Sequence, residues 1–323
     1  FLRTSCGLMS GLMFSSSAPF IMRKSNINRK PNIIFIITDQ MRGDALSCLG
    51  NPNAYTPNLD KLAREGIIFE NAFSNNPICV PSRISMFSGL YPHQHKALNN
   101  RGPFLNSIKN TLFELLRENG YKIGFIGKNH MIQTAALKKS LDLCILRTRE
   151  PFRAYSRYVT PFWHCNTYWP SEKCYTTINT NDAISFINNT TPDRPFFLGI
   201  SYFDPHPPYM APSEYSIKFS SKDMVLPEYI PPGSLSPRLE EYYKVLKFDH
   251  IKDSDLKETM KYYYASISYV DNMVGRIVKA LKRKRIVDNT IIIFTADHGD
   301  FMGEHRMVRK GIFHYDALLH TPM

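Results

Sequence analysis

The chain has 323 residues, 43% hydrophobic and 21% charged, which excludes intrinsic disorder and allows one large core or two ordinary ones. No apolar run approaches the ~20 residues that cross a bilayer, so no membrane span is expected. A formal net charge of +12 favours an anionic partner or substrate. The one dense basic run, Lys282-Arg283-Lys284-Arg285, falls where a helix should close, so nucleic acid is not expected as a partner.

Residues 1–30 read as a segment apart. Gly7 to Met22 is moderately apolar and rich in small residues, with Arg3 ahead of it. It reads as the remnant of a signal peptide, which leans the chain toward a secreted or other extracytoplasmic compartment, or as disordered leader. Asn32 to Thr38 is a continuous β-branched and aromatic run, the mark of a strand buried on both faces, and it ends in Asp39-Gln40. Thr56-Pro57 opens a helix through Arg64 that Gly66 stops, and Ile67-Ile68-Phe69 predicts a short strand. A loop ending at Cys79 then enters a short helix. Pro81 suits its first position, Ile84, Phe87 and Leu90 recur at core-facing spacing, and Gly89 helps end it.

Thr111 to Glu118 predicts an amphipathic helix with Leu112, Leu115 and Leu116 on its apolar face. Lys122 to Ile126 predicts a strand that ends in Gly127-Lys128-Asn129-His130. Residues 133–178 show no organising period. Asp182 to Asn188 predicts a short helix, and Pro195 to Tyr202 a buried strand ending in Asp204-Pro205-His206-Pro207-Pro208. The Pro-rich stretch from Pro207 to Pro237 predicts loop. Lys257 to Arg285 predicts one long helix with Ile267, Val270, Val274 and Ile277 inward. Thr290 to Thr295 predicts a second fully buried strand, ending in Asp297-His298-Gly299-Asp300.

Alternating helices and doubly buried strands imply an α/β fold with a mainly parallel sheet and helices on both faces. In such sheets ligands gather at the carboxyl ends of strands. The candidate chemical residues fall there: Asp39, Gln40, Lys128, His130, His206, Asp297 and His298. Cys79 sits at the positive end of a helix dipole, a place suited to an anion, and Arg83 adds a fork of donors one turn later. Asp39-Gln40 and Asp297-His298 offer two carboxylates, an amide oxygen and an imidazole to one divalent cation. Mostly oxygen donors favour Ca2+, with Mg2+ or Mn2+ left open. Six cysteines (Cys6, Cys48, Cys79, Cys144, Cys165 and Cys174) show no Cys-x-x-Cys pair, so no zinc site is expected. Cys144, Cys165 and Cys174 share one region, where a disulfide or reduced thiols are both open.

Cys79-Val80-Pro81-Ser82-Arg83 resembles the sulfatase signature, whose cysteine is oxidised after translation to formylglycine. Thr295 to His305 is similar to that family's second metal segment. Gly127-Lys128-Asn129-His130 resembles its Gly-Lys-Trp-His, Pro205-His206-Pro207-Pro208 its Pro-His-x-Pro, and Lys310-Gly311 its later substrate-binding lysine. His320-Thr321-Pro322-Met323 resembles the segment after that. The Asp-Gln pair resembles the branch of choline sulfatases and phosphonate monoester hydrolases. The resemblance implies an alkaline-phosphatase-like catalytic domain over 31–323, incomplete at its end, with a smaller C-terminal antiparallel domain missing. It implies a sulfate-ester hydrolase acting on a small-molecule or carbohydrate ester, with a formylglycine-generating enzyme or equivalent as partner. Metal ligands would be Asp39, Gln40, Cys79, Asp297 and His298. Among the catalytic residues, Cys79 would supply the aldehyde hydrate, Arg83 would hold it, and Lys128 and Lys310 would balance charge on the ester. His206, with Lys310, would protonate the departing alcohol, and His130 would take the proton of the second hydroxyl. The alternatives are a phosphonate or phosphate ester hydrolase on the same scaffold, or an inactive truncated relative.

Overall fold

Strand β1 (Asn32–Asp39) pairs on both edges and organises the sheet. A computed structural model describes residues 29–148, 164–167, 170–228, 236–245 and 248–323. The leader or disordered segment expected at the start lies outside these residues, apart from Arg29 and Lys30. Pro31–Met323 forms one compact unit.

Within it the elements run β1, α1 (Pro57–Glu65), α2 (Cys79–Ser88), α3 (Pro92–His95), α4 (Leu112–Glu118), β2 (Lys122–Gly127), α5 (Thr134–Ser140), β3 (Leu143–Leu146) and β4 (His164–Thr167). Then come α6 (Tyr175–Asn188), β5 (Phe196–Pro205), β6 (Tyr209–Pro212), α7 (Ser213–Ser216), α8 (Pro237–Val245), α9 (Asp253–Lys284), β7 (Thr290–Ala296) and α10 (Asp316–Leu319). Five strands form one sheet in the order β3-β2-β5-β1-β7, and every pairing in it is parallel. A small parallel pair, β4 with β6, lies apart from it.

Period-two alternation feeds two cores. Ile34 and Ile36 of β1 join one cluster with α6 and α9, while Phe35 and Ile37 join the other with α2 and α4. Helix α9 buries Leu256, Met260, Tyr263, Ile267, Val270 and Val274, a residue every three or four positions, which is one continuous helix face. Its basic last turn, Lys282 to Lys284, closes the helix as expected. Asp271, inside α9, accepts the Leu59 amide at 2.7 Å and the Asn58 side chain at 2.7 Å, capping α1 from 212 residues away.

Several expectations change. Ile67, Ile68 and Phe69 form loop, exposed by 78%, 37% and 54%, with the Phe69 amide bonded to the Met323 carbonyl and no ladder to a described strand. In α4 the inward residues are Phe113 and Leu116, and Leu115 faces solvent. Leu90 falls beyond α2, past the turn at Gly89, and is exposed. Strand β7 is an edge strand in the described sheet, with Ile291 48% exposed, so only its last residues are fully buried. The unreadable stretch contributes α5, the fifth sheet strand β3 and the start of α6. The Pro-rich stretch contributes β6, α7 and the first residue of α8. Cys144 is a free thiol, and the side chain of Cys165 lies outside the described residues.

Candidate active site

The carboxyl ends of β1, β2, β5 and β7 meet the amino end of α2. Pairing of β1 with β5 shifts register between Ile37 and Asp39, which brings Asp39 opposite Pro205 at the rim. Beyond it Gln40 takes a left-handed backbone, φ 68°, held by its amide on Asp297 Oδ1 at 3.0 Å and by the Tyr263 hydroxyl on its carbonyl. At the end of β2, Gly127 lies so close to β5 that a Cβ there would meet the Ser201 carbonyl at 2.0 Å. That close approach delivers Lys128 to the site, its amide bonded to Ser201 O.

Cys79, 1% exposed, stands at the centre. Its Sγ lies 3.6 Å from Asp39 Oδ1, 3.4 Å from His298 Nε2 and 2.7 Å from Lys310 Nζ. Asp39, Cys79, Asp297 and His298 each present one ligand atom, all within 4.8 Å of one another. Asp39 divides its two oxygens: Oδ1 faces Cys79, and Oδ2 takes the Lys128 ammonium. Arg83 places Nε on Asp297 Oδ2 at 2.7 Å and a terminal nitrogen on Ser201 Oγ at 2.7 Å. Ser82, its neighbour, bonds the Asp297 carbonyl. Helix α2 therefore grips the β7 terminus by both residues.

The imidazole of His298 has its tautomer fixed by geometry. Nδ1 faces the Gly299 carbonyl at 2.9 Å and must carry the proton there, which leaves the Nε2 lone pair for the cluster. His206 likewise sets Nδ1 against the Pro207 carbonyl at 2.6 Å. His130, left-handed at φ 53°, stands near Cys79 on the solvent-facing rim. All the predicted catalytic and metal residues thus converge on one rim. His320 goes elsewhere, stacked on Phe73 with Nε2 on the Glu70 carbonyl.

The electrostatics follow from burying charges together. Burial opposes ionisation of the Cys79 thiol, but Lys128, Lys310 and His298 pull it well below the ordinary thiol range. Burial and the neighbouring Cys79 also oppose ionisation of Asp39, yet Lys128, His206 and Lys310 hold its carboxyl well below the usual range. Burial disfavours the Lys310 ammonium, and Cys79, Asp39 and Asp297 more than restore it. Desolvation, then Lys128, disfavours the imidazolium of His130.

Sequence reasoning missed the residues that hold these groups. Asn100 Oδ1 takes the Val80 amide at 3.1 Å, so one of the helix amides expected to meet an anion is capped by a side chain. Ser201, Tyr209, Tyr263 and Asp300 carry support roles that no motif marked. Only Asp300 lay within a quoted motif, and no role was read from it.

A protein-family model described as Sulfatase matches residues 31–323. An arylsulfatase of Clostridium perfringens (strain 13 / Type A) is 30% identical over 325 residues, covering 88% of this chain and 66% of that protein. The choline-sulfatase of Rhizobium meliloti (strain 1021) is 26% identical over 302 residues, covering 85% of this chain and 58% of that one. The crystal structure of the phosphonate monoester hydrolase of Agrobacterium radiobacter matches with a TM-score of 0.73 at 25% identity, over 91% of this chain and 67% of that one. The chain thus spans less than two thirds of these curated relatives' length.

Metal binding and a cysteine-derived formylglycine are typical of that family, and the residues fit both. The donor set is two carboxylates, the His298 Nε2 that Lys310 Nζ approaches at 3.1 Å, and Gln40 Oε1, a buried oxygen that takes no hydrogen bond from any described residue. Cys79 Sγ lies against Asp39, His298 and Lys310, with Asp297 in the same cluster. A family match across nearly the whole chain, on a parallel sheet whose rim gathers this donor set around the signature cysteine, places the chain in the sulfatase family.

Proposed function

We propose that this chain carries the catalytic part of a hydrolase that splits a sulfate monoester into an alcohol and inorganic sulfate. The observation that carries this reading is the packing of Cys79 Sγ against Asp39 Oδ1, His298 Nε2 and Lys310 Nζ, at 3.6, 3.4 and 2.7 Å. Asp39, Gln40, Asp297 and His298 would hold the cation, with residue 79 completing the set. Ca2+ is the reading that the oxygen-rich donors favour. When present, formylglycine supplies a hydrated aldehyde as nucleophile and the cation a Lewis acid beside it.

The chain's own residues do the rest. Lys128 and Lys310 place ammonium groups where the oxygens of an anionic ester would lie, and they offset charge that grows in the transition state. Arg83 fixes Asp297 and so the direction of its second oxygen. His206, with Nδ1–H tied to Pro207 O, would act as the imidazolium, presenting Nε2–H as the proton donor to the departing alcohol. His130, kept neutral by its surroundings, accepts the proton of the hydroxyl at residue 79. Because Cys79 is 1% exposed, a formylglycine-generating enzyme or its equivalent would have to act before the chain folds.

A second reading, a phosphonate or phosphate ester hydrolase, is favoured by Gln40. A neutral amide there makes the site less negative, and the phosphonate monoester hydrolase shares the fold at 25% identity. Mass spectrometry of the peptide spanning Cys79 tests the class: an aldehyde in place of the thiol is expected, and turnover by Cys79→Ser at the native rate would refute it. Hydrolysis of an aryl sulfate measured beside that of an aryl phosphonate monoester separates the two readings.

A further inference from the structure

We propose that Asp300 is a positioning residue that sets which atom of the Gln40 amide faces the metal seat, and that Tyr209 ties this device to the segment bearing His206. The inference rests on the metal site proposed above. Asp300 is fully buried just beyond β7. Its carboxylate accepts from four donors. Oδ2 takes Gln40 Nε2 at 2.6 Å and the Tyr209 hydroxyl at 2.7 Å, and Oδ1 takes the amides of Met302 at 2.9 Å and Arg309 at 2.8 Å.

A glutamine amide is nearly symmetric in shape, so packing alone does not decide whether oxygen or nitrogen points to a ligand. Against a carboxylate the choice is forced. Only the NH2 can face Asp300, so Oε1 turns the other way, and there it is buried with no donor from any described residue. A buried acceptor left unpaired is costly, and a cation at the oxygen would remove that cost. The main chain of Gln40 is already fixed, by Asp297 on its amide and Tyr263 on its carbonyl, so the amide's direction is the remaining freedom.

The link to His206 is short. Tyr209 lies three residues after it, fully buried, with its ring edge-on to Tyr263 at 5.8 Å. Tyr209 and Tyr263 therefore close a loop of contacts through Asp300 and Gln40. One side of that loop carries the expected proton donor, and the other a metal ligand.

The test measures equilibrium binding of Ca2+, Mg2+ and Mn2+ to the whole chain by calorimetry, with the Mn2+ resonance spectrum as a second readout. Asp300→Asn keeps the shape but lets its own amide meet Gln40 in either orientation. Affinity should fall about 10–100-fold. In a Gln40→Glu background the sign should reverse. There the native Asp300 opposes a second carboxylate and Asp300→Asn donates to it, so the substitution should tighten binding. Weaker binding in both backgrounds, or no change in the first, overturns the proposal, since a merely structural role has no reason to change sign. If Asp300→Asn does not fold, Tyr209→Phe decides: it keeps the ring and removes one donor from Oδ2, and unchanged metal affinity overturns the link. A native chain that binds none of the three ions refutes the metal reading itself, and the inference with it.

Discussion

Gly127→Ala should be among the most damaging single-methyl changes in this chain, and Gly120→Ala makes its control. Both residues have positive φ, 103° and 83°. At Gly120 an added Cβ meets nothing within 4 Å, so only the conformational cost applies, about 1 kcal/mol. At Gly127 the same Cβ lies 2.0 Å from the Ser201 carbonyl and 3.0 Å from Asn179 Nδ2. The Ser201 contact is backbone in the neighbouring strand and cannot rotate away. The strand ends must part, and the Lys128 amide to Ser201 carbonyl bond of 3.1 Å goes with them. Backbone strain of about 1–3 kcal/mol, overpacking of about 1–3 and a lost hydrogen bond of about 1 sum to roughly 3–7 kcal/mol. Urea denaturation followed by far-ultraviolet circular dichroism measures both variants. The displaced Lys128 should also abolish the proposed sulfate-ester hydrolysis in Gly127→Ala alone. Stabilities of the two variants within about 1 kcal/mol of each other would refute the close-approach account.

Two further outcomes follow from charge and capping. Desolvation and Lys128 lower the His130 pKa from its ordinary 6.5, so the neutral base persists at pH 7 and is lost only as pH falls through that lowered value. The acid limb of kcat should therefore have its midpoint below 6.5 and vanish in His130→Asn; a limb above 6.5, or one that survives the substitution, removes His130 as the base. Asp271→Ala strips the remote cap from α1 and should cost about 1–2 kcal/mol of stability while leaving kcat intact, and a loss of kcat without a shift in the denaturation midpoint would contradict a purely structural role.

The central strands were legible because doubly buried strands leave little else for their sequence to be. Asn32 to Thr38 and Pro195 to Tyr202 are continuous apolar runs, and both lie in the middle of the sheet. The same signal placed a strand correctly at Thr290 to Thr295 but misled about its burial. An apolar run reports what a strand is made of, not whether a neighbour covers its second edge, and β7 has β1 on one side only among the described strands. Ile67-Ile68-Phe69 fails for a related reason: a strand needs a partner in register, and composition does not say whether one is supplied. Strand β3 was invisible because four half-buried residues give no period, and its register comes from β2.

The site divides along the same line. Residues that touch the chemistry sit in short motifs, at strand ends, on α2 and, for Lys310, in the segment beyond β7, so their identity could be read from local sequence. What orients them comes from far away in the chain. Gln40 is aimed by Asp300 from 260 residues on, Arg83 is anchored on Ser201 118 residues on, and the Val80 amide is capped by Asn100. His298 and His206 are exceptions, since each sets Nδ1 against the carbonyl of the next residue. The division has a physical cause. A ligand atom or nucleophile must be of one type, which leaves a mark in sequence, whereas a support needs only a donor or acceptor at the right point. Many residue types meet that need, so the supports become visible only when the fold has brought them together.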